Sequence, residues 1–501
     1  MRWMGLGVLL WVLLPMGTAS GFVDCDGYEA AWDADTVYVM QAQTDSDRYV
    51  ELFDGLTCAN AYEGAPTPRI ELNGDVSILI FVSPVAGIAG DVGLTVVRKT
   101  VEIDGAGYAI RRDPSAPTEY RLLQVNEGGN LTLRNTTLIG GLLGSEGITR
   151  GGALYYEGDV TLVNVTVTGS RAQEGGGLYG AGTLSLLGSR VSDNRAMGGA
   201  GGGVYAQGPM LMRGSAIERN VGGGLYLSGP ESTLVRSSVS DNTASNTAGI
   251  RNEGTLFMLN MRVEDNLADP LNSNGGGINN NGQGQLVMFN TVVRGNRAGI
   301  GGGIYHGGAS LSINLSTVVD NINNGNFAGS NIANPQPITL AASIVAGGSG
   351  GASISNPSAV SLQSENIIED GAVIGDGVLA VDPLLDTNLV PLPGSRALDV
   401  IDGVPLLDTL DIDGDGNTTE RVPVDVDDTP RQRGTRVDLG AQEARATLLS
   451  DGLLTPADAV YVLNRLGVAV DVANEAADYD QDGDIDSDDA SAVLAALGAA
   501  S

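Results

Sequence analysis

The residues best suited to chemistry lie near the end of the chain. The run Asp478-Tyr479-Asp480-Gln481-Asp482-Gly483-Asp484-Ile485-Asp486-Ser487-Asp488-Asp489 has a carboxylate at every odd position, a glycine at the sixth and another carboxylate at the twelfth. Carboxylates this close repel one another unless a cation neutralises them, and oxygen donors at this spacing around a glycine turn wrap Ca²⁺. Asp478, Asp480, Asp482 and Asp489 are expected to give side-chain oxygens, Asp484 its backbone carbonyl and Asp486 a water-mediated contact. A second run, Asp411-Ile412-Asp413-Gly414-Asp415-Gly416-Asn417, has the same DxDxDG spacing but Val422 at the twelfth position. Asp411, Asp413, Asp415 and Asn417 would therefore need a closing ligand from Glu420 or the Asp425 to Asp428 run, and the alternative is an acidic loop without metal.

A metal loop needs flanking elements, and these are helical. The face Ala490, Val493, Leu494, Leu497, Gly498 repeats Ala459, Val462, Leu463, Leu466, Gly467 at an offset of 31 residues. The apolar members fall at i, i+3, i+4 and i+7, and a glycine ends each helix. Thr455 caps the first helix ahead of Pro456.

Upstream, a repeat dominates. A GG-(small)-aliphatic unit recurs with its aliphatic at Leu154, Leu178, Val204, Leu225, Ile250, Ile278 and Ile304, in steps of 24, 26, 21, 25, 28 and 26 residues. An aliphatic-x-x-Asn unit keeps the same step at Asn194, Asn220, Asn242, Asn266, Asn296 and Asn321. Between them lie short segments of period two, such as Leu256 to Leu259 and Leu311 to Leu315, the pattern of a strand with one buried face. A unit of this length with several short strands is one coil of a β-solenoid, with like residues stacked rung on rung. Asparagines at a fixed corner are then expected to donate their amides from rung to rung, and the glycines to supply positive φ and close backbone approach.

Charge is uneven. The net charge is −33, with one lysine, Lys99, and one histidine, His306; residues 399–501 hold 23 Asp and Glu against six Arg, a net −17. A nucleic-acid footprint is absent and anionic partners are disfavoured. The first twenty residues, with Arg2, the apolar run Leu6 to Leu14 and small residues Thr18, Ala19 and Ser20, read as a signal peptide. An uncleaved anchor is the alternative, although the run is shorter than a bilayer span. No later stretch is apolar enough to span. Cys25 and Cys58 are expected to pair in an exported chain, with two buried thiols as the alternative.

The GGG-aliphatic and aliphatic-x-x-Asn pairing resembles polymorphic outer-membrane protein repeats within the right-handed parallel β-helix superfamily. The stretch Val381-Asp382-Pro383-Leu384, Leu392 to Asp399, Arg431 to Gly434 and Val437-Asp438-Leu439-Gly440-Ala441-Gln442-Glu443 resembles the end of bacterial surface β-helix proteins of choice-of-anchor type. Residues 447–498 resemble a type I dockerin, which implies docking onto a cohesin-like or other surface protein. Thr447 and Leu449 replace the expected Asp residues of the first dockerin loop, and Pro456-Ala457 and Ser487-Asp488 replace the usual Ser-Thr recognition pair.

The expected organisation is a signal peptide at 1–20, an N-terminal cap at 21–64, an all-β, right-handed parallel β-helix at 65–390, an acidic cap or linker at 391–446 and a small α-helical EF-hand module at 447–501. The expected role is a secreted or cell-surface binding or adhesion protein, non-catalytic, with Ca²⁺ as cofactor and carbohydrate along the coil faces. The rival is a polysaccharide lyase or glycoside hydrolase of the same superfamily. Such chemistry needs a basic residue beside bound Ca²⁺ or a cluster of Asp. Here Lys99 lies near the cap, and His306 falls in a slot filled elsewhere by Tyr156, Gly180, Ala206 and Leu227, which reads as a variable coil-surface position. Asp193, Asp241, Asp265 and Asp320 repeat as corner residues; stacked, they could still line a groove.

Overall fold

One coil, traced from Leu178, shows how the repeat folds. Leu178–Gly180 forms a strand of the third face, Leu184–Leu187 one of the first face and Arg190–Ser192 one of the second, and Arg195–Ala200 returns along a narrow fourth side before the next glycine-rich turn leads into Val204–Ala206. Every strand pairs in parallel with its counterpart one coil away: Leu178 sits between Leu154 and Val204, Leu184 beside Met210, and Val191 beside Ile217. The computed structural model describes residues 24–80, 87, 90–144, 147–325, 329–392, 394–412, 415–431 and 436–444, with isolated positions between 462 and 493. Over these residues the architecture is the expected all-β parallel β-helix. Its first face runs from Tyr38–Val39 and Arg69–Glu71 to Val360–Leu362. Its second face ends at Val378–Leu379.

The period-two segments fold this way because alternate side chains enter the coil. Val160, Leu184, Met210, Leu256 and Leu286 are buried in a single continuous core, and each such burial is worth about 2 kcal/mol. Between the first and second faces one residue per coil turns the corner in the left-handed region, among them Asn164, Gly188, Gly214, Arg236, Asn260 and Asn290. In three coils the strand runs unbroken through that corner, as Glu231–Ser240, Thr255–Glu264 and Gln285–Arg294.

The glycine turn is tight enough to need its residue type. Gly275 has φ of 68°, and a Cβ on Gly276 would sit 2.4 Å from the carbonyl oxygen of Gly302 in the next coil.

The open N-terminal end carries the two α-helices found among the described residues, α1 (Asp26–Asp33) and α2 (Asp45–Ala61). Cys25 and Cys58 are disulfide-bonded, with Cα atoms 5.5 Å apart. Thr44 caps α2 by accepting from Asp47 N at 3.2 Å. Leu52 and Leu56 join Ile70, Val76 and Ile78 in the core, and Trp32 donates to the Arg69 carbonyl at 3.0 Å. The first rung is thus covered by side chains rather than left as bare sheet.

The described residues between 382 and 444 lie along the flank of the coils. Leu389, Ala397, Val404, Ile412, Val422, Val437 and Leu439 form a second core with Val235, Leu259, Phe289, Leu315 and Ile344. The left-handed corner residues hold this segment: Asn260 donates to the Asp425 carbonyl at 2.7 Å, Asn290 to Val424 at 3.1 Å, and Arg236 to Ile412. The helical module expected at 447–498, including Asp478, Asp480, Asp482, Asp484 and Asp489, lies outside the described residues but for isolated positions.

Candidate functional site

Two columns grow from adjacent residues at the corner after the second face. Asn194, Asn220, Asn242, Asn266, Asn296 and Asn321 are fully buried. Each side-chain amide donates to the Oδ1 of the next, at 3.2, 3.0, 3.0, 2.9 and 3.1 Å along the series. Each Oδ1 also accepts a backbone N–H from the rung before, as from Asn220 N to Asn242 at 2.9 Å. The ladder is therefore the one expected from the spacing. It opens at Ser170 N, which donates to Asn194, and closes on Asn331. The residue before the asparagine turns the corner: Asp193, Asp241, Asp265 and Asp320 have φ between 53° and 59°. Aspartate tolerates that region well among non-glycine residues. These carboxylates are exposed, and Asp193 pairs with Arg219 at 3.0 Å. They lie on successive rungs of one corner rather than converging on a point.

The residue after each ladder position points outward. Arg171, Arg195, Val221, Thr243, Leu267 and Arg297 stand in register along the narrow fourth side. At the inter-strand spacing this column spans about 24 Å. It lines a groove of 810 Å³ together with Met197 to Gly199 on the rung of Arg195 and Asp269 and Pro270 on the rung of Leu267. Arg171, Arg195 and Arg297 are exposed, and among the described residues none of them pairs with a carboxylate. Arg297 donates to Asn324 Oδ1 at 3.0 Å and Arg171 lies 2.6 Å from the Met197 sulfur. Asp269 is engaged locally, its Oδ1 accepting from Leu271 N at 2.8 Å and Asn272 N at 3.1 Å. The corner aspartates do not line the groove.

The third face carries a different outward column. Tyr155, Tyr179, Tyr205 and Tyr226 stand in register with ring centroids 5.8, 4.8 and 4.3 Å apart, the first and last pairs stacked and Tyr179 meeting Tyr205 edge-on. Arg150 lies over Tyr179 at 4.9 Å and Arg251 over Tyr226 at 4.5 Å. Tyr226 donates to Glu253 at 2.8 Å, and burial, then that carboxylate, pushes its pKa up.

His306 is not on the coil surface as expected. It is fully buried, in register with Asn280, Asn252, Leu227, Ala206 and Gly180. The physical reason is strand parity: the position two beyond an inward aliphatic is inward as well. Asn252 donates to Asn280 Oδ1 at 2.8 Å, and Asn280 Nδ2 lies 3.0 Å from His306 Nδ1. An amide nitrogen only donates, so Nδ1 accepts and the ring is neutral with its proton on Nε2. Burial lowers its pKa against a smaller pull from the Pro337 carbonyl. Gly180 in this column makes room for the Tyr156 ring, 2.4 Å from where a Cβ would stand. Lys99 is near the cap as expected, with Nζ 2.5 Å from Glu63 Oε1 and 2.9 Å from the Tyr62 carbonyl.

Of the expected metal ligands, Asp411, Asp415 and Asn417 are described, and Asp413 lies outside the described residues. Asp411 Oδ1 accepts from Gly416 N at 3.0 Å, Asp415 Oδ1 from Asn417 N at 2.7 Å, and Asn417 donates to Glu420 at 3.2 Å. The loop is tied to the coils through its backbone, Arg213 donating to the Leu410 carbonyl at 2.7 Å and to that of Asp411. The described part offers only oxygen donors, and among the described residues no three carboxylates, cysteines or histidines are gathered to hold a metal.

Sequence reasoning missed a serine ladder, in which Val165 N donates to Ser189 Oγ at 3.1 Å, Ser189 N to Ser215 at 2.9 Å and Ser215 N to Ser237 at 3.0 Å. Its signal was present in Gly188-Ser189 and Gly214-Ser215, a left-handed residue followed by a hydroxyl. It also missed a buried charge cluster in the flank. Arg431 is fully buried, 3.6 Å from Glu443 Oε2, with Asp425 and Asp438 beside it. Burial, reinforced by Asp438, pushes the Glu443 carboxyl up to about 9, with Arg431 pulling back. Of these, Arg431, Asp438 and Glu443 fall in stretches for which the sequence suggests a resemblance to choice-of-anchor ends, and Asp425 does not.

No curated protein matches the sequence. A solved structure titled "Crystal structure of pectate lyase Pel9A" is similar at 14% identity with a TM-score of 0.41, over 81% of this chain and 96% of that one. No helix among the described residues is long and apolar enough to cross a membrane. Residues 121–318, the stretch that builds the groove and most of both columns, match the protein-family model described as "Right handed beta helix region".

Proposed function

We propose that the protein is a secreted, non-catalytic binding solenoid, which holds an extended polymer along its narrow side and is attached through its acidic C-terminal region. The observation that carries this is the groove: six outward positions in register, three of them exposed arginines without a carboxylate partner among the described residues, on a wall whose backbone is hydrogen-bonded coil to coil. A surface that repeats from coil to coil suits a chain-like ligand, as repetitive solenoid surfaces generally do. Lys99, held by Glu63, and His306, inside the coil, take no part in it.

Ca²⁺ binding by Asp478, Asp480, Asp482, Asp484 and Asp489, and by Asp411, Asp413, Asp415 and Asn417, belongs to the same proposal. It is supported by the carboxylate spacing in both loops and by the all-oxygen donors described in the second. Docking of residues 447–498 onto a cohesin-like or other surface protein follows from the resemblance of that stretch to dockerins.

The test uses the full chain. Retention on insoluble polysaccharides, neutral and acidic, is expected without new reducing ends or unsaturated products; turnover of a retained polymer would replace this reading with the lyase or hydrolase one. Ca²⁺ is expected to raise the melting temperature and a chelator to lower it. A melting temperature indifferent to millimolar Ca²⁺, with no heat on titration, would remove the cation from the proposal.

A further inference from the structure

The tyrosine column of the third face holds one pair that differs from the rest. Tyr205 and Tyr226 lie in register on adjacent rungs, 21 residues apart in the chain. Their ring centroids are 4.3 Å apart and their planes meet at 25°. Tyr155 and Tyr179 are farther apart, at 5.8 Å, and are buried, and Tyr179 meets Tyr205 edge-on at 60°. Tyr205 and Tyr226 are only half-buried, so an oxidant in solution reaches them. Beyond Tyr226 the column continues as Arg251 and Asn279, which ends the run of phenols.

The Tyr226 hydroxyl donates to Glu253 Oε2 at 2.8 Å, and Glu253 Oε1 accepts from Arg251 Nε at 3.0 Å. A phenol gives up an electron most readily when its proton leaves at the same time, and a carboxylate at hydrogen-bond distance is placed to take that proton. Arg251 also lies over the Tyr226 ring, 4.5 Å from its centroid. That charge opposes electron removal, and the pairing of Arg251 with Glu253 offsets it.

We infer that Tyr205 and Tyr226 form a site of oxidative cross-linking, at which a peroxide-driven one-electron oxidant joins the two rings and ties one coil covalently to the next. Each phenol loses one electron and its hydroxyl proton. The two radicals join ortho carbon to ortho carbon, and the hydrogens on those carbons move to the oxygens, restoring both hydroxyls. In sum the protein loses two electrons and two protons, which reduce one hydrogen peroxide to two waters. A carbon–carbon bond between two phenols sets their centroids at about the separation already present, so the link needs rotation of the rings and not displacement of the strands.

The experiment treats the full chain, at high dilution, with hydrogen peroxide and a haem peroxidase. A monomer lighter by two hydrogens is expected, with the blue fluorescence of dityrosine and with residues 205 and 226 joined in one cross-linked product on digestion. The linked chain is expected to melt higher than the untreated one, since the bridge constrains the unfolded state. Tyr205→Phe and Tyr226→Phe are each expected to abolish the fluorescence while keeping the β circular dichroism of the parent, and Tyr155→Phe is expected to leave the linkage intact. Glu253→Gln is expected to slow the linkage by about tenfold at neutral pH, short of what a positioned base contributes in an enzyme, and by less at alkaline pH, where solvent takes the proton. The same factor at every pH would remove Glu253 from the proposal as a proton acceptor. Linkage elsewhere in the column, linkage only between separate chains, or oxygen addition to the rings without dityrosine would each overturn the cross-linking site.

Discussion

Asn242 and Thr243 are neighbours in the chain, as are Asn194 and Arg195, and Asn296 and Arg297, yet the two columns they build behave as opposites. The inner column repeats the same residue on six rungs and leaves no amide unmatched. The outer column varies from rung to rung, and its arginines find no carboxylate among the described residues. One step of the strand pleat separates them. Inside the coil a polar group must be satisfied by the rung above or below, so identity is imposed; outside, water satisfies it, and the residue type is free to vary.

That contrast predicts a graded set of effects. The largest belongs to Asn242→Ala. It leaves the Asn220 N–H without its acceptor and removes one of two partners from the Asn220 amide and from Asn266 Oδ1, all buried. A loss of about 2–3 kcal/mol is expected from one unsatisfied donor and several weakened bonds, read as a lower urea midpoint. An unchanged midpoint would mean that the ladder does not hold the corner.

An intermediate effect tests buried polar groups that are not in a ladder. The Glu443 carboxyl is held at about 9 in the folded chain against an ordinary 4.5. The folded state therefore keeps a proton that the unfolded state releases, and stability falls as pH rises from about 4.5 towards 9. Glu443→Gln is expected to flatten that slope in melting temperature against pH, whereas an equal slope in the variant would place the dependence elsewhere. The smallest effect is Arg195→Gln, expected to change stability by less than about 0.5 kcal/mol. A larger loss would make the outer column structural and erase the contrast.

Much of the architecture was legible beforehand because a solenoid writes its geometry into the sequence at one period. The GG-aliphatic and aliphatic-x-x-Asn markers fall in register on the third face and at the corner, from Leu154 to Ile304 and from Asn194 to Asn321. His306 was misplaced because a slot filled by Tyr156, Gly180, Ala206 and Leu227 looks variable. It is variable only in volume and polarity, with Tyr156 beside Gly180 and Asn280 beside His306 compensating one another between rungs. The groove was not legible at all. Its arginines lie 24 and 102 residues apart in the chain, and each reads as an ordinary charge after a corner.

What the sequence determined by itself is everything that repeats: the coil, its inward aliphatics, the left-handed corners and the asparagine ladder, since each follows from local period and from the needs of buried polar groups. Only the tertiary structure decided what happens once. It laid residues 382–444 along the flank, gathered Arg431 with Asp425, Asp438 and Glu443, and collected Arg171, Arg195 and Arg297 into one groove. Charge counted along the chain argued against anionic partners. Such a count leaves out spatial grouping, because rungs about 4.8 Å apart bring together charges that the sequence keeps far apart, and electrostatics acts through space over roughly one screening length.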